Sequence, residues 1–415
     1  MASAANRPSL MPLDEALARL LAHAEPTVGT EQVSTFEADG RVLAQDVVSA
    51  LTVPPRDNSA MDGYAVRSAD CAAPGAVLRV AQRIPAGSVG TALDAGTAAR
   101  IFTGAQIPEG ADAVVMQEDT TALPEEGRLG NVRLAIAPAP GQWIRQAGED
   151  VAAGDVVLAR GERLTPASLG LAASVGLDRL WVSKRPRVAL LSTGDELVMP
   201  GEVAPDAMQP GSIYNSNRFF MRALLERLGC EVADLGLVPD RRDATIEALR
   251  AAALGNDLII TTGGVSVGEE DHIKAAVQHL GQIDLWSLSM KPGKPFAYGR
   301  IGDAHVAGLP GNPVSSFMTF LLLVRPFLLR LQGVSRVAPE PVAMRVDSDW
   351  PRADRRREFL RARRNAAGGL DVFGNQSSGV LTSMVWGDGV IDTPAGQPFK
   401  AGDTVQFIPF ASLLA

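Results

Sequence analysis

Cysteine is scarce: the chain has 415 residues and only two cysteines, Cys71 and Cys230. Two thiols cannot build a disulfide framework, and their spacing matches no zinc motif. A reducing compartment is the natural setting, and a cytoplasmic location is expected. Long apolar runs are also missing. Residues 1–24 lack the apolar stretch of a signal peptide. The longest apolar segment, Val314 to Leu331, is interrupted by Arg325 and Pro326 and is too short and broken to span a bilayer, so no membrane partner is expected. An excess of basic charge is absent: the formal net charge is −8, which argues against nucleic acid as the main partner. There is no GxxxxGK[ST] and no GxGxxG, so neither a Walker loop nor a dinucleotide fingerprint is present. The four histidines, His23, His272, His279 and His305, form no HExxH; His272 and His279 could share a helix face, more often a solvated one than a metal pair.

What is present is an ordinary globular composition, 46% apolar and 21% charged, long enough for several domains with real cores. The 41 glycines and 28 prolines imply many turns and short strands. Residues 11–24 pattern as an amphipathic helix with Leu13, Leu17, Leu20 and Leu21 on one face. From about 27 to 183 the chain reads as short β-rich runs separated by Gly and Pro. From Lys184, strands alternate with helical segments, the signature of a parallel α/β sheet. The last stretch returns to short strands.

Ligands of parallel α/β sheets bind outside the carboxyl ends of the strands. Three segments fall there. LLSTGDEL offers Thr193, Gly194, Asp195 and Glu196. IITTGGVSVGEED offers Gly263, Gly264, Ser266, Glu269, Glu270 and Asp271. GLPGNPVSS places Pro310 and Pro313 before a helix. Gly-rich turns leading into helices present N–H groups to anions, and a divalent cation would reconcile the acids with a phosphate. Any one segment is as well explained by turns and helix caps; three in one domain point to a site.

A basic group follows. Lys291-Pro-Gly-Lys294-Pro sets two ammonium groups on a stiff turn, which suits an oxyanion or is simply an exposed turn. PRADRRREFLRARR carries arginines whose forks suit tetrahedral oxyanions, although its alternation suggests a strand with most of them solvated. In the β-rich part, PPRDNSAMDGYAVR and the segment ending in Gln117, Glu118 and Asp119 are polar loops of the kind that form ligand walls. Gly264-Val-Ser266-Val-Gly268 also fits the GxSxG of a serine hydrolase, with Asp284 or Asp303 and His305 as partners.

Together, DNSAMDGYAVR, RIFTGAQIPEGADAVVMQED, IRQAGEDVAAGD, VALLSTGDEL, GSIYNSN, GGVSVGEED, MKPGKPFAYG and GLPGNPVSS resemble the molybdopterin molybdenumtransferase family, to which the E domain of gephyrin belongs. They run in family order over nearly the whole chain. The resemblance implies an α/β plus β multidomain fold: a linker-like domain (1–52 and 142–183), an inserted β-rich domain (53–141), a parallel α/β molybdopterin-binding domain (184–333) and a C-terminal β-barrel-like domain (334–415). It implies an elongated homodimer whose active cleft lies between the α/β domain and the partner's β-rich arm. It implies adenylylated molybdopterin and molybdate as substrates, Mg²⁺ as required ion, and molybdenum cofactor and AMP as products; other cofactor-biosynthesis proteins are possible partners.

Carried over residue by residue, the family's functional positions fall on Asp62, Thr103, Asp150, Glu196, Asp240 and Asp271. Thr193, Gly194, Gly263, Gly264, Ser266, Pro310 and Pro313 are expected to hold the pterin and adenylyl parts. Lys291, Lys294, Arg361 and Ser378 are expected to hold molybdate, and Glu196 and Asp271 the metal ion. Ser287 stands where some bacterial relatives carry a basic residue, which weakens the expected positive patch. A serine hydrolase acting through Ser266 and a non-catalytic dimeric scaffold remain as alternatives at this stage.

Overall fold

The computed structural model describes residues 10–25, 28–264 and 272–414, apart from the side chain of Leu285. The α/β domain is built on a six-stranded sheet in the order Glu231–Val238, Arg187–Thr193, Leu258–Thr262, Ala304–Leu309, Pro295–Ile301, Gln282–Ser287. The first four strands are parallel, and Pro295–Ile301 pairs antiparallel with both of its neighbours, Ala304–Leu309 and Gln282–Ser287. Leu258–Thr262 and Ala304–Leu309 are buried along their whole length. Such uninterrupted burial is required of strands covered on both faces. Val188 and Leu190 face one core, with Met221 and Phe327 from covering helices; Ala189 and Leu191 face another, with Leu249 and Ile273.

The stretch Pro313–Leu331 is helical throughout, including Arg325 and Pro326, and 89% buried. Arg325 interrupts the apolar run but is retained in the core because its Nε and Nη2 donate to Leu413 O and Ser412 O, at 2.8 and 3.1 Å. Burial lowers its pKa to about 10.

The inserted domain is a second six-stranded sheet, ordered Ala113–Met116, Gly63–Val66, Thr97–Ile101, Val77–Ile84, Arg128–Leu134, Thr120–Glu125. Antiparallel pairs Thr30–Ser34 with Arg179–Ser183 and Val47–Val48 with Val156–Leu158 flank it in sequence. The helix Leu13–Leu21 departs from the expected partition. It packs in the α/β core through Leu13, Ala16 and Leu20, and Met11 exchanges backbone hydrogen bonds with Ser287 and Ser289. Its leucine face matches that apolar surface rather than the small linker core.

The C-terminal domain is a sheet of Val342–Arg345, Thr404–Pro409, Gly389–Thr393 and Arg357–Arg364. Met290–Lys291, from the α/β domain, adds to its edge, with Lys291 opposite Glu358. Val314 N donates to Ser378 O at 3.0 Å. These two connections lock the domains together where the candidate site lies.

Candidate functional site

The carboxyl ends of Arg187–Thr193, Leu258–Thr262 and Ala304–Leu309 lie in register, with Ser192 opposite Thr262 and Thr262 opposite Leu309. Their loops therefore open into one cavity of about 570 Å³, lined by Thr193, Gly194, Glu196, Asp240, Gly263, Gly264, Pro310 and Pro313 among others. Two glycines are dictated by this convergence. Gly263 has φ +92°, and a Cβ there would stand 2.9 Å from Thr193 O; Gly264 has φ +65°, and a Cβ would meet Ile273 at 2.6 Å. Asn217 Nδ2 donates to Gly311 O at 2.7 Å and fixes the Pro310–Pro313 turn. Asp240 N donates to Asp195 Oδ1 at 3.4 Å, tying the two acidic loops together.

A second cavity of about 390 Å³ is lined by Lys291, Gly293, Lys294, Arg356, Gln376, Ser377 and Ser378. Pro295, Asn312 and Ser315 line both cavities, so the two are contiguous. Gly293 presses the lysine turn onto the long helix, where a Cβ would stand 2.5 Å from Thr319 Oγ1. Lys291 Nζ donates to Glu358 Oε1 at 3.0 Å and lies 3.4 Å from Asp354 Oδ2. Glu358 is only 1% exposed, and its Oε2 accepts from Trp350 Nε1 and Asp354 N. Arg356 donates to both carboxylate oxygens of Asp354 at 3.0 Å. Those hydrogen bonds hold the Asp354 carboxyl well below the usual range. Lys294 is exposed, and its ammonium has no hydrogen bond or ion pair among the described residues.

Arg361 does not line this cavity, contrary to expectation. It is fully buried, with Nε donating to Ser383 Oγ at 3.0 Å and Nη2 to Ser377 O at 3.2 Å. Its N donates to Gln376 Oε1 at 2.9 Å, so it buttresses the Gln376–Ser378 wall from behind. Burial lowers its pKa to about 10. The reason is register: Arg361 sits mid-strand under the 377–383 segment, whereas Arg356 precedes the strand and reaches the cavity. Sequence reading missed Arg356 among seven arginines, since nothing local distinguishes them. Ser287 lines neither cavity.

Asp62, Thr103 and Asp150 lie outside both cavities. Asp62 and Thr103 are brought together: Asp62 Oδ1 accepts from Thr103 N at 2.8 Å and Thr103 Oγ1 at 2.7 Å, which lowers the Asp62 pKa. Asp150 is an exposed turn residue whose N donates to Val53 O at 3.1 Å. Ser266 and Asp271, expected in the loop after Gly264, lie outside the described residues.

Three family descriptions match this arrangement in order. Residues 11–176 match the MoeA N-terminal region (domain I and II), 189–330 the probable molybdopterin binding domain, and 343–410 the MoeA C-terminal region (domain IV). The chain is 42% identical over 415 residues to a molybdopterin molybdenumtransferase of Haemophilus influenzae, covering 98% of this chain and 100% of that protein. It is 38% identical over 382 residues to molybdopterin molybdenumtransferase 2 of Mycobacterium tuberculosis, covering 87% and 90%. The chain belongs to the molybdopterin molybdenumtransferase family.

The crystal structure of a molybdopterin biosynthesis moeA protein from Pyrococcus horikoshii OT3 superposes with a TM-score of 0.82 at 30% identity, covering 97% of this chain and 100% of that one. The α/β plus β multidomain fold and the transferase class follow from membership. Family membership displaces the hydrolase alternative, and its expected base, His305, pairs with Leu258, about 13 Å along the strand from Thr262. His305 Nδ1 is also taken by Tyr298 Oη at 2.8 Å, and burial lowers its pKa to about 4.

Proposed function

We propose that this transferase inserts molybdenum from molybdate into adenylylated molybdopterin, with release of AMP. The observation that carries the reading is the pair of contiguous cavities, one lined by glycine turns and carboxylates, the other by cations and hydroxyls. The strand-end cavity suits a phosphorylated pterin: backbone N–H groups at Gly264 and in the Pro310–Pro313 turn offer donors to phosphate oxygens, while the Gly263 N–H is taken by Leu309 O. The second cavity suits a tetrahedral dianion, which needs donors from several directions. Lys294, Arg356 and Ser378 approach it from two domains. Lys291 is already compensated by Glu358 and Asp354, and Arg356 is paired with Asp354 through Nε and Nη2, so Lys294 contributes the most net charge. Arg361 holds the Ser377–Ser378 wall.

Mg²⁺ fits the strand-end cavity. Glu196 and Asp240 both line it and would hold the ion. Mg²⁺ keeps several waters and takes one or two carboxylates beside substrate phosphates. When bound, it would neutralise charge on the phosphoanhydride. The chain's own part is to orient the two substrates: the glycine turns fix the phosphates, and the cations hold the oxyanion against the neighbouring dithiolene. No protein nucleophile is required.

Asp62, Thr103 and Asp150 join this chemistry in a homodimer, where the inserted domain of one protomer reaches the cavities of the other. The test is incubation with adenylylated molybdopterin, Mg²⁺ and molybdate, assaying AMP and active cofactor. Both products should appear only when all three are present. Cofactor formation without AMP, or neither product, would contradict the reading.

A further inference from the structure

The inserted domain carries a basic cluster that the roles above leave unused. Val77–Ile84 and Thr97–Ile101 run parallel, and their register sets Arg83 directly beside Arg100. Like charges opposite one another on neighbouring strands are destabilising. Nothing acidic is arranged against Arg83. It is exposed, and its guanidinium has no hydrogen bond or ion pair among the described residues. Among the described residues the Arg100 side chain donates to Gly63 O at 2.9 Å and Gln117 Oε1 at 2.8 Å, and its charge also acts on the Asp62 carboxylate. Both guanidiniums rest on the Phe102 ring, with Arg83 4.5 Å and Arg100 4.7 Å from its centroid. An aromatic face holds a cation in a defined place without neutralising it. The next residue is Thr103, fixed to Asp62 through both its N and its Oγ1.

An arginine without an acidic partner among the described residues therefore stands beside the arm residues expected to act, in a chain of net charge −8. We propose that Arg83 is a substrate-binding residue that grips phosphate oxygens of the adenylylated substrate, with Arg100 and Phe102 positioning it. A planar guanidinium with an unused fork matches a phosphoryl group through two parallel hydrogen bonds. Arg100 is a positioning residue, since its donors already brace Gly63 and Gln117. The inference rests on the proposed reaction and on the arm closing over the substrate.

Steady-state AMP release should be measured with each substrate varied, for wild type, Arg83→Ala, Arg83→Lys and Arg83→Gln. Arg83→Ala should raise KM for adenylylated molybdopterin about tenfold or more. The molybdate KM should stay where it is, and the melting temperature should not fall. Arg83→Lys should recover most of the loss and Arg83→Gln little of it. Inorganic pyrophosphate should inhibit wild type and lose potency against Arg83→Ala. An unchanged KM in Arg83→Ala beside an active wild type overturns the proposal alone. So does a shift confined to molybdate, or an Arg83→Gln variant equal to wild type. A wild type that releases no AMP overturns the proposed reaction and this inference with it.

Discussion

The strand-end cavity and the cation cavity share Pro295, Asn312 and Ser315 but are built differently. The first comes from loops of one domain, and the glycines and turns that shape it stand in short continuous segments. The second is assembled across two domains by the Lys291–Glu358 pairing and the Val314–Ser378 hydrogen bond. A site made of loops at neighbouring strand ends is written locally. A site made across domains depends on which residue of a strand happens to face it, and one position of register decides that.

The sharpest way to break this comparison is to remove charge from the first cavity. Asp240→Asn should cut AMP release on the order of a hundredfold while leaving the fold intact, because carboxylates poised at a reacting phosphate act mainly in the transition state. Normal turnover of that variant across a Mg²⁺ titration would remove Asp240 from the site.

The next contrast lies within the second cavity. Arg361→Ala removes a fully buried side chain and strands Ser377 O, so a loss of ~2–4 kcal/mol in stability is expected, read as a lower melting temperature. Arg356→Ala should cost less, ~1 kcal/mol for the lost Asp354 pair, and raise the molybdate requirement about tenfold. If instead Arg361→Ala weakened molybdate at constant stability, the cavity would be lined differently from the arrangement described.

The far end of the same sheet supplies a control. The His305 pKa is lowered by burial to about 4 from 6.5. Its neutral form is the one the fold favours, so the stability it contributes is present above pH 6.5 and lost as pH falls through the folded value. Denaturant titrations should show up to ~3 kcal/mol lost between pH 6.5 and pH 4. His305→Gln should flatten that slope without altering the neutral-pH rate. A lost rate at neutral pH would mean that this end of the sheet takes part in the chemistry.

The smallest effect concerns the arm. Thr103→Val removes one of two hydrogen bonds to Asp62 Oδ1. The Asp62 pKa should move up toward the ordinary carboxylate value, as NMR titration of its carboxyl carbon would show. No movement would mean that the backbone donor alone sets it.

Much was legible in the residues themselves. The alternation of strands and helices from Lys184 was legible, as was the Gly263–Gly264 turn after a strand. Lys291 and Lys294 were visible as a braced pair, but their inequality was not, since Glu358 is distant in sequence and pairs with only one of them. Arg356 and Arg361 looked alike because both sit in one basic run.

Sequence alone determined the alternation of elements, the turns that need glycine, and the acids and lysines available for chemistry, because these depend on local backbone preference and on the periodicity of burial. Tertiary structure decided which of those groups meet. It brought Asp240 and Glu196 to the wall of one cavity and swung Arg361 into the core in favour of Arg356. It also packed Leu13–Leu21 onto the α/β domain and left Asp62 and Thr103 on a separate arm. Those outcomes follow from strand register and from contacts between distant segments, whose free energy no short stretch of sequence contains.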